Sequence, residues 1–246
     1  MHKFRIYKDM IDIDYYVYFS KAYFAYNAYL KAKYPNENDR GKIKKIKENH
    51  ILKNKFKKLI LEGKHFRDDL NSLNQGLESA LIENQEELIH FRKVKINDHI
   101  ESDIFKRKFN GVDYHIRAIP AEKFFFKVGN NPQSNPFVFE ELEIQINNSN
   151  LSVKQKEKVT IEINRFVQQY SLDLQSYINQ LVNFETLGVY EQNDLVEKLY
   201  KGVIEILYLL RNALFHSEVE PNSDVMRVYK YAYFILRKLI KEIPSS

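Results

Sequence analysis

Cysteine is absent from the 246 residues. That excludes a disulfide framework and any thiolate metal site, and it fits a reducing compartment. Glycine and proline are scarce, at seven and six, so long flexible linkers are not expected. No apolar run reaches the roughly 18 residues of a membrane-spanning helix. The opening MHKFRIYKDMIDIDYY lacks the uninterrupted apolar core of a signal peptide. A cytoplasmic protein with no membrane partner is the expectation. The phosphate-loop pattern GxxxxGK[ST] and the zinc pattern HExxH are both missing. His2, His50, His65, His90, His99, His115 and His216 are scattered without ligand spacing, so no metal or other cofactor is expected.

What is present fits a globular chain. Hydrophobic residues make up 44% and charged residues 29%, enough for one sizeable domain or a domain with an inserted module. The formal net charge of +5 tolerates a polyanionic partner without demanding one.

Hydrophobic spacing divides the chain into three parts. Residues 1–103 read as the N-terminal helical part of a bundle. Tyr15, Phe19, Tyr23, Tyr26 and Leu30 form one helical face, with Asp12 as N-cap and Pro35 as the stop. A weaker stripe carries Ile51, Phe56, Leu59 and Ile60, and a third carries Leu70, Leu73, Leu77, Leu81 and Ile82. Residues 104–147 read as a small antiparallel β insert of three or four strands. Val112, Tyr114 and Ile116 alternate with polar residues after the turn signal Asn110-Gly111, and Leu142, Ile144 and Ile146 alternate again. Residues 148–246 return to helical spacing. Val159, Ile163, Phe166, Tyr170, Leu174, Tyr177, Leu181 and Phe184 suggest some eight continuous turns after Ser152. Another helix follows the loop LGVYEQN, and a last one follows a cap at Asn222 or Ser223. The expected fold class is mainly α, an antiparallel helical bundle with a small β insert.

The stretch LLRNALFHSEVEPN sets Arg211, Asn212 and His216 at the end of an apolar helical pattern. Two readings of these residues stay open. In the first, Arg211 and His216 cap the orphan carbonyls of a helix end, where a cation gains about 0.3–1 kcal/mol from the macrodipole. In the second, they cleave RNA: imidazole moves the protons, and guanidinium neutralises charge developing on the phosphate. Five residues on a continuous helix turn through about 500°, leaving the pair roughly 140° apart. Convergence therefore needs the helix to end or tighten near residue 215.

The sequence RNALFHSEVEP resembles the signature of the HEPN superfamily, an Arg followed after four to six residues by a His. It is similar to the RNxLFHG…P variant of bacterial HEPN proteins, many of them linked to phage defence or toxin–antitoxin systems. The aromatic stretch YYVYFSKAYFAYNAYLKAKYP resembles the first helix of such chains. The resemblance covers residues 10–35 and 194–243. It implies a helical bundle that dimerises, so that two motif copies face one cleft, and a metal-independent endoribonuclease with Arg211 and His216 catalytic and Asn212 positioning. RNA, a second copy of the chain, and an antitoxin or trigger protein become the expected partners. Ser217 departs from a frequent Gly and Ala213 from a frequent second Asn. Some HEPN proteins are non-catalytic, so an RNA- or protein-binding scaffold is the alternative.

The lysine run from Lys42 to Lys58 offers Lys44, Lys45, Lys55 and Lys58 as candidates to follow an RNA backbone, against a plain solvated helix face. Lys106, Arg107 and Lys108 pose the same choice. Phe124, Phe125 and Phe126 read either as base-stacking rings or as alternate rings packing a sheet.

Overall fold

In the computed structural model, which describes residues 14–85, 87–97, 101–119, 123–130, 135–216, 219–220 and 222–243, the aromatic stretch forms helix α1 (Tyr15–Lys33). Phe19, Tyr23, Tyr26 and Leu30 are its buried face, as their spacing predicts. The expected cap, Asp12, lies outside the described residues. Asp14 caps the helix, its carboxylate accepting from the N–H groups of Tyr16 and Val17. The helix stops two residues before Pro35, because the residue preceding a proline is pushed out of the helical region.

Three further helices follow: α2 (Asp39–Lys47), α3 (His50–Glu62) and α4 (Lys64–Ala80). The inward residues of α3 are Leu52, Phe56 and Ile60, whereas Ile51, expected on that stripe, faces solvent. Leu81 is also turned outward. It occupies the left-handed region at the C-cap of α4 (φ 47°), which ends the helix and turns Ile82 into the core. A two-strand hairpin, β1 (Glu83–Asn84) with β2 (Glu87–Leu88), comes next.

The chain divides into two compact units, one drawn from Met1–Val94 and Asp173–Ser246, the other from Lys95–Leu172. The second unit is therefore longer than the 104–147 insert, because two helices belong to it. Its sheet is β3 (Ser102–Phe109), β4 (Val112–Ile119) and β5 (Lys123–Val128), antiparallel in that order. Asn110 and Gly111 join β3 to β4 with φ of 48° and 81°, the positive pair that a type I′ hairpin requires. Phe124 and Phe126 point into the core while Phe125 lies at its edge under Arg117. Lys106, Arg107 and Lys108 are exposed on β3.

The expected strand at Leu142, Ile144 and Ile146 is instead helix α5 (Phe139–Asn148). Leu142 and Ile146, one turn apart, are buried, and Ile144 is 57% exposed. Helix α6 (Val153–Val167), begun at Ser152 as expected, packs Val159, Ile163 and Phe166 into the same core as the sheet. The eight-turn helix expected from Ser152 does not continue. After Val167 come an extended pair, Ser171–Leu172, helix α7 (Gln175–Gln180) and a 3₁₀ segment (Leu181–Thr186).

Back in the first unit, α8 (Val189–Phe215) begins inside the expected loop LGVYEQN, and α9 (Ser223–Lys241) starts at a cap where Asn222 accepts from Asp224 and Val225. Helix α9 packs on α1 and α4, while α2 and α3 pack on α8. Tyr200 of α8 donates its hydroxyl to the Ile46 carbonyl at 2.6 Å, and Tyr229 of α9 donates to the Leu210 carbonyl at 2.8 Å. Among the described residues no helix is long and apolar enough to cross a membrane.

Two outcomes test these packings. In urea denaturation, Ile146→Ala lowers stability by about 2–5 kcal/mol and Ile144→Ala by less than about 0.5 kcal/mol; equal losses contradict the helical register. Burial raises the pKa of Tyr23, Tyr26, Tyr200 and Tyr229. Their contribution is complete below the unfolded tyrosine value of about 10 and is lost as pH rises above it. An alkaline titration followed at 295 nm shows these four ionising only together with unfolding; early, independent ionisation contradicts their burial.

Candidate functional site

The candidate site is built on α8, which is 27 residues long and so about 40 Å from end to end. Most of its length is apolar, but Glu197, Lys201, Glu205 and Tyr208 recur at three to four residues and make a charged stripe. The centre of that stripe is buried. Glu205 is 3% exposed, and α2 brings two cations to it. Arg40 donates to both carboxylate oxygens, at 2.7 and 2.9 Å, and the Lys47 ammonium lies at 2.5 Å. The pairing continues in both directions. Lys201 contacts Glu48 at 3.0 Å and Glu197 at 3.4 Å, and Glu197 also holds Lys53 at 3.1 Å.

Toward the C-terminal end, the ladder closes on Arg211. Its guanidinium is 3.7 Å from the Asp39 carboxylate and lies over the rings of Tyr23 and Phe215, at 5.9 and 5.2 Å. It also donates from Nη1 to Asn212 Oδ1 at 2.9 Å. Burial raises the Tyr23 pKa, and the neighbouring Arg211 charge partly offsets that shift, so the phenol stays neutral beside the guanidinium. The recess between α1, α2 and Arg211 holds about 10 Å³, room for one water at most. Arg211 itself is half-buried.

Helix α8 ends at Phe215, with His216 as the C-cap. The helix ends near residue 215, where convergence would require it, yet His216 stays on the last helical turn. Its N–H still closes a helical bond to the Asn212 carbonyl at 2.9 Å. On helical geometry the three side chains leave the axis at about 0°, 100° and 140°. Asn212 thus stands between the other two, hydrogen-bonded to Arg211 and one turn before the exposed imidazole of His216. The result is a polar arc on the last turn, with Asn212 as its link. Ser217 lies outside the described residues. The half-exposed rings of Phe24 and Phe215 flank the arc at 5.7 Å centroid separation.

The lysine run is not a continuous basic face. Lys42 and Lys47 are buried, and Lys53 is held in the ladder. Lys57 donates to Asn193 at 2.7 Å. Of the four RNA-binding candidates, Lys55 reaches Glu242 and Lys58 reaches Glu62, each at 3.7 Å. Lys44 and Lys45 are exposed on α2. The sequence reading missed Asp39, Arg40 and Glu205. Glu205 was discernible as an acid interrupting an apolar run; its partners, some 160 positions away, were not. Among the described residues no group of three or more His, Asp or Glu side chains gathers to hold a metal ion.

Comparison with known protein families, curated proteins and solved structures finds no match.

Removing the carboxylate in Glu205→Ala takes the counter-charge at 2.5 Å from the buried Lys47 ammonium and lowers stability by about 3–5 kcal/mol in urea denaturation. A loss below about 1 kcal/mol contradicts the ladder as the element that seats α2.

Proposed function

We propose that the chain is a HEPN-like endoribonuclease that cuts RNA by transesterification through the 2′-hydroxyl, without a metal ion. The observation that carries this reading is the polar arc at the open end of α8: an anchored guanidinium, an amide bonded to it, and an exposed imidazole one turn further on. A neutral imidazole takes the 2′-hydroxyl proton as the oxygen attacks phosphorus. The Arg211 fork offsets the charge that grows on the non-bridging oxygens. The 5′ oxygen departs with a proton, leaving a 2′,3′-cyclic phosphate and a 5′-hydroxyl.

The two proton transfers fall on opposite sides of one phosphorus, and a single exposed imidazole reaches one of them. A second copy of the chain across a two-fold axis supplies the other His216 and Arg211, so the working form is a homodimer. A role in prokaryotic phage defence or as the toxin of a toxin–antitoxin pair, in the cytoplasm and under an antitoxin or trigger protein, rests on the motif's resemblance. A second reading, a non-catalytic HEPN-type scaffold for RNA or protein, draws on one observation. Arg211 already has a carboxylate and two rings, and His216 leaves the helix on a different azimuth.

Purified protein incubated with RNA in EDTA distinguishes the two. The nuclease generates cyclic-phosphate ends, with the rate reduced about 10²–10⁴-fold in His216→Ala and about 10²–10³-fold in Arg211→Ala. RNA that stays intact with wild-type protein while remaining bound identifies the scaffold.

A further inference from the structure

A second candidate surface lies on α9, on residues outside the α8 arc. Lys230, Phe234, Arg237 and Lys241 are spaced four, three and four residues apart and so share one helix face. Phe234 belongs to an aromatic cluster on the surface. Its ring meets Tyr15 edge-on at 5.9 Å and Tyr233 at 5.7 Å, and Tyr18, 45% exposed, meets Tyr233 at 5.5 Å. Lys230 holds its ammonium over the rings of Tyr15 and Phe234, at 5.8 and 6.0 Å. Beyond Phe234 the surface opens into a cleft of about 470 Å³ floored by that ring and rimmed by Arg237, Lys238 and Lys241 together with His65. Among the described residues one carboxylate lines it, Asp69, and Lys238 holds it at 2.6 Å. Arg237 and Lys241 are exposed, and neither has a carboxylate partner among the described residues.

We propose that this face of α9 binds single-stranded nucleic acid, with Phe234 stacking a base and Lys230, Arg237 and Lys241 following the phosphates. With Lys238 matched to Asp69, Arg237 and Lys241 leave the rim positive, which selects an anion. The floor selects further. An acidic peptide has charge but no flat face to lay on Phe234, and a duplex hides the faces of its bases in its own stack. A single strand offers both a phosphate and an open π-face at every residue. Along the helix, Lys230 and Arg237 stand about 10 Å apart with the ring between them, and Lys241 is about 6 Å further on. The cleft volume lies within the roughly 300–1,000 Å³ of small-ligand sites, enough to accept a nucleobase.

The chain has no tryptophan, so Phe234→Trp places a single indole at the floor. The probe is a 12-residue 2′-O-methyl RNA, which cannot undergo cleavage through the 2′-oxygen, titrated against the full-length protein. Expected are quenching of the indole on binding, a loss of affinity of about 5–150-fold in Phe234→Ala, and a salt dependence shallower by about 1.4 in the double charge reversal Arg237→Glu/Lys241→Glu. Both reversed residues are exposed, so this variant keeps its fold, checked by its melting temperature. Unchanged affinity in both variants overturns the proposal. So does equal competition by a duplex of the same sequence or by poly-glutamate, and so does the absence of any binding. Cleavage of ordinary RNA is read in parallel. Cutting that persists while α9 proves irrelevant to binding leaves the nuclease standing without this track, and indole quenching in a chain that cuts nothing does the reverse.

Discussion

A carboxylate shut away from water fixes the arrangement of the first unit. A carboxylate at the depth of Glu205 needs compensating charge, since moving a lone ion out of water costs several kcal/mol even after relaxation. Arg40 and Lys47, both from α2, provide that charge. These contacts hold α2 in its placement on α8. Asp39 directly precedes Arg40, and in that placement its carboxylate faces Arg211. The anchoring of the guanidinium at the helix end is thus inherited from an ion pair six residues earlier on α8.

The long helices were legible because each buries one face over many turns. α1, α8 and α9 keep a period near 3.6 for nineteen residues or more, and chance alternation does not imitate that. The segment at 139–148 was misread because Leu142 and Ile146 are four apart. That separation is two strand repeats and also about one helical turn, and Ile144 between them tipped the pattern toward a strand. The break after Val167 carries neither proline nor glycine. Its extended pair, Ser171–Leu172, is set by pairing with a distant stretch of chain, which local spacing does not encode.

The site was legible as a place rather than as an arrangement. Sequence put Arg211, Asn212 and His216 at a helix end, where they are. It gave Asn212 only a positioning role, and the hydrogen bond to Arg211 makes it the connection between the guanidinium and the imidazole side of the turn. The lysines were misjudged for a different reason. Counting charge along the chain ignores partners far away in sequence, and Lys47 and Lys53 are matched to acids of α8. The more open concentration of positive charge is on α9, where cations are spaced among aromatic rings and a pattern search for apolar faces passes over them.

The first unit is discontinuous, and α9 comes after every other helix it packs against. Until α9 is made, α1 and α4 lack the helix that each packs against most extensively. The second unit is one uninterrupted stretch and can close by itself while the ribosome is still working. Residues 211–216 therefore gain a finished framework only after α9 has been made. A chain cut short before α9 would carry the motif letters without the assembled helix end, so whatever residues 211–216 do is deferred until the following helix exists.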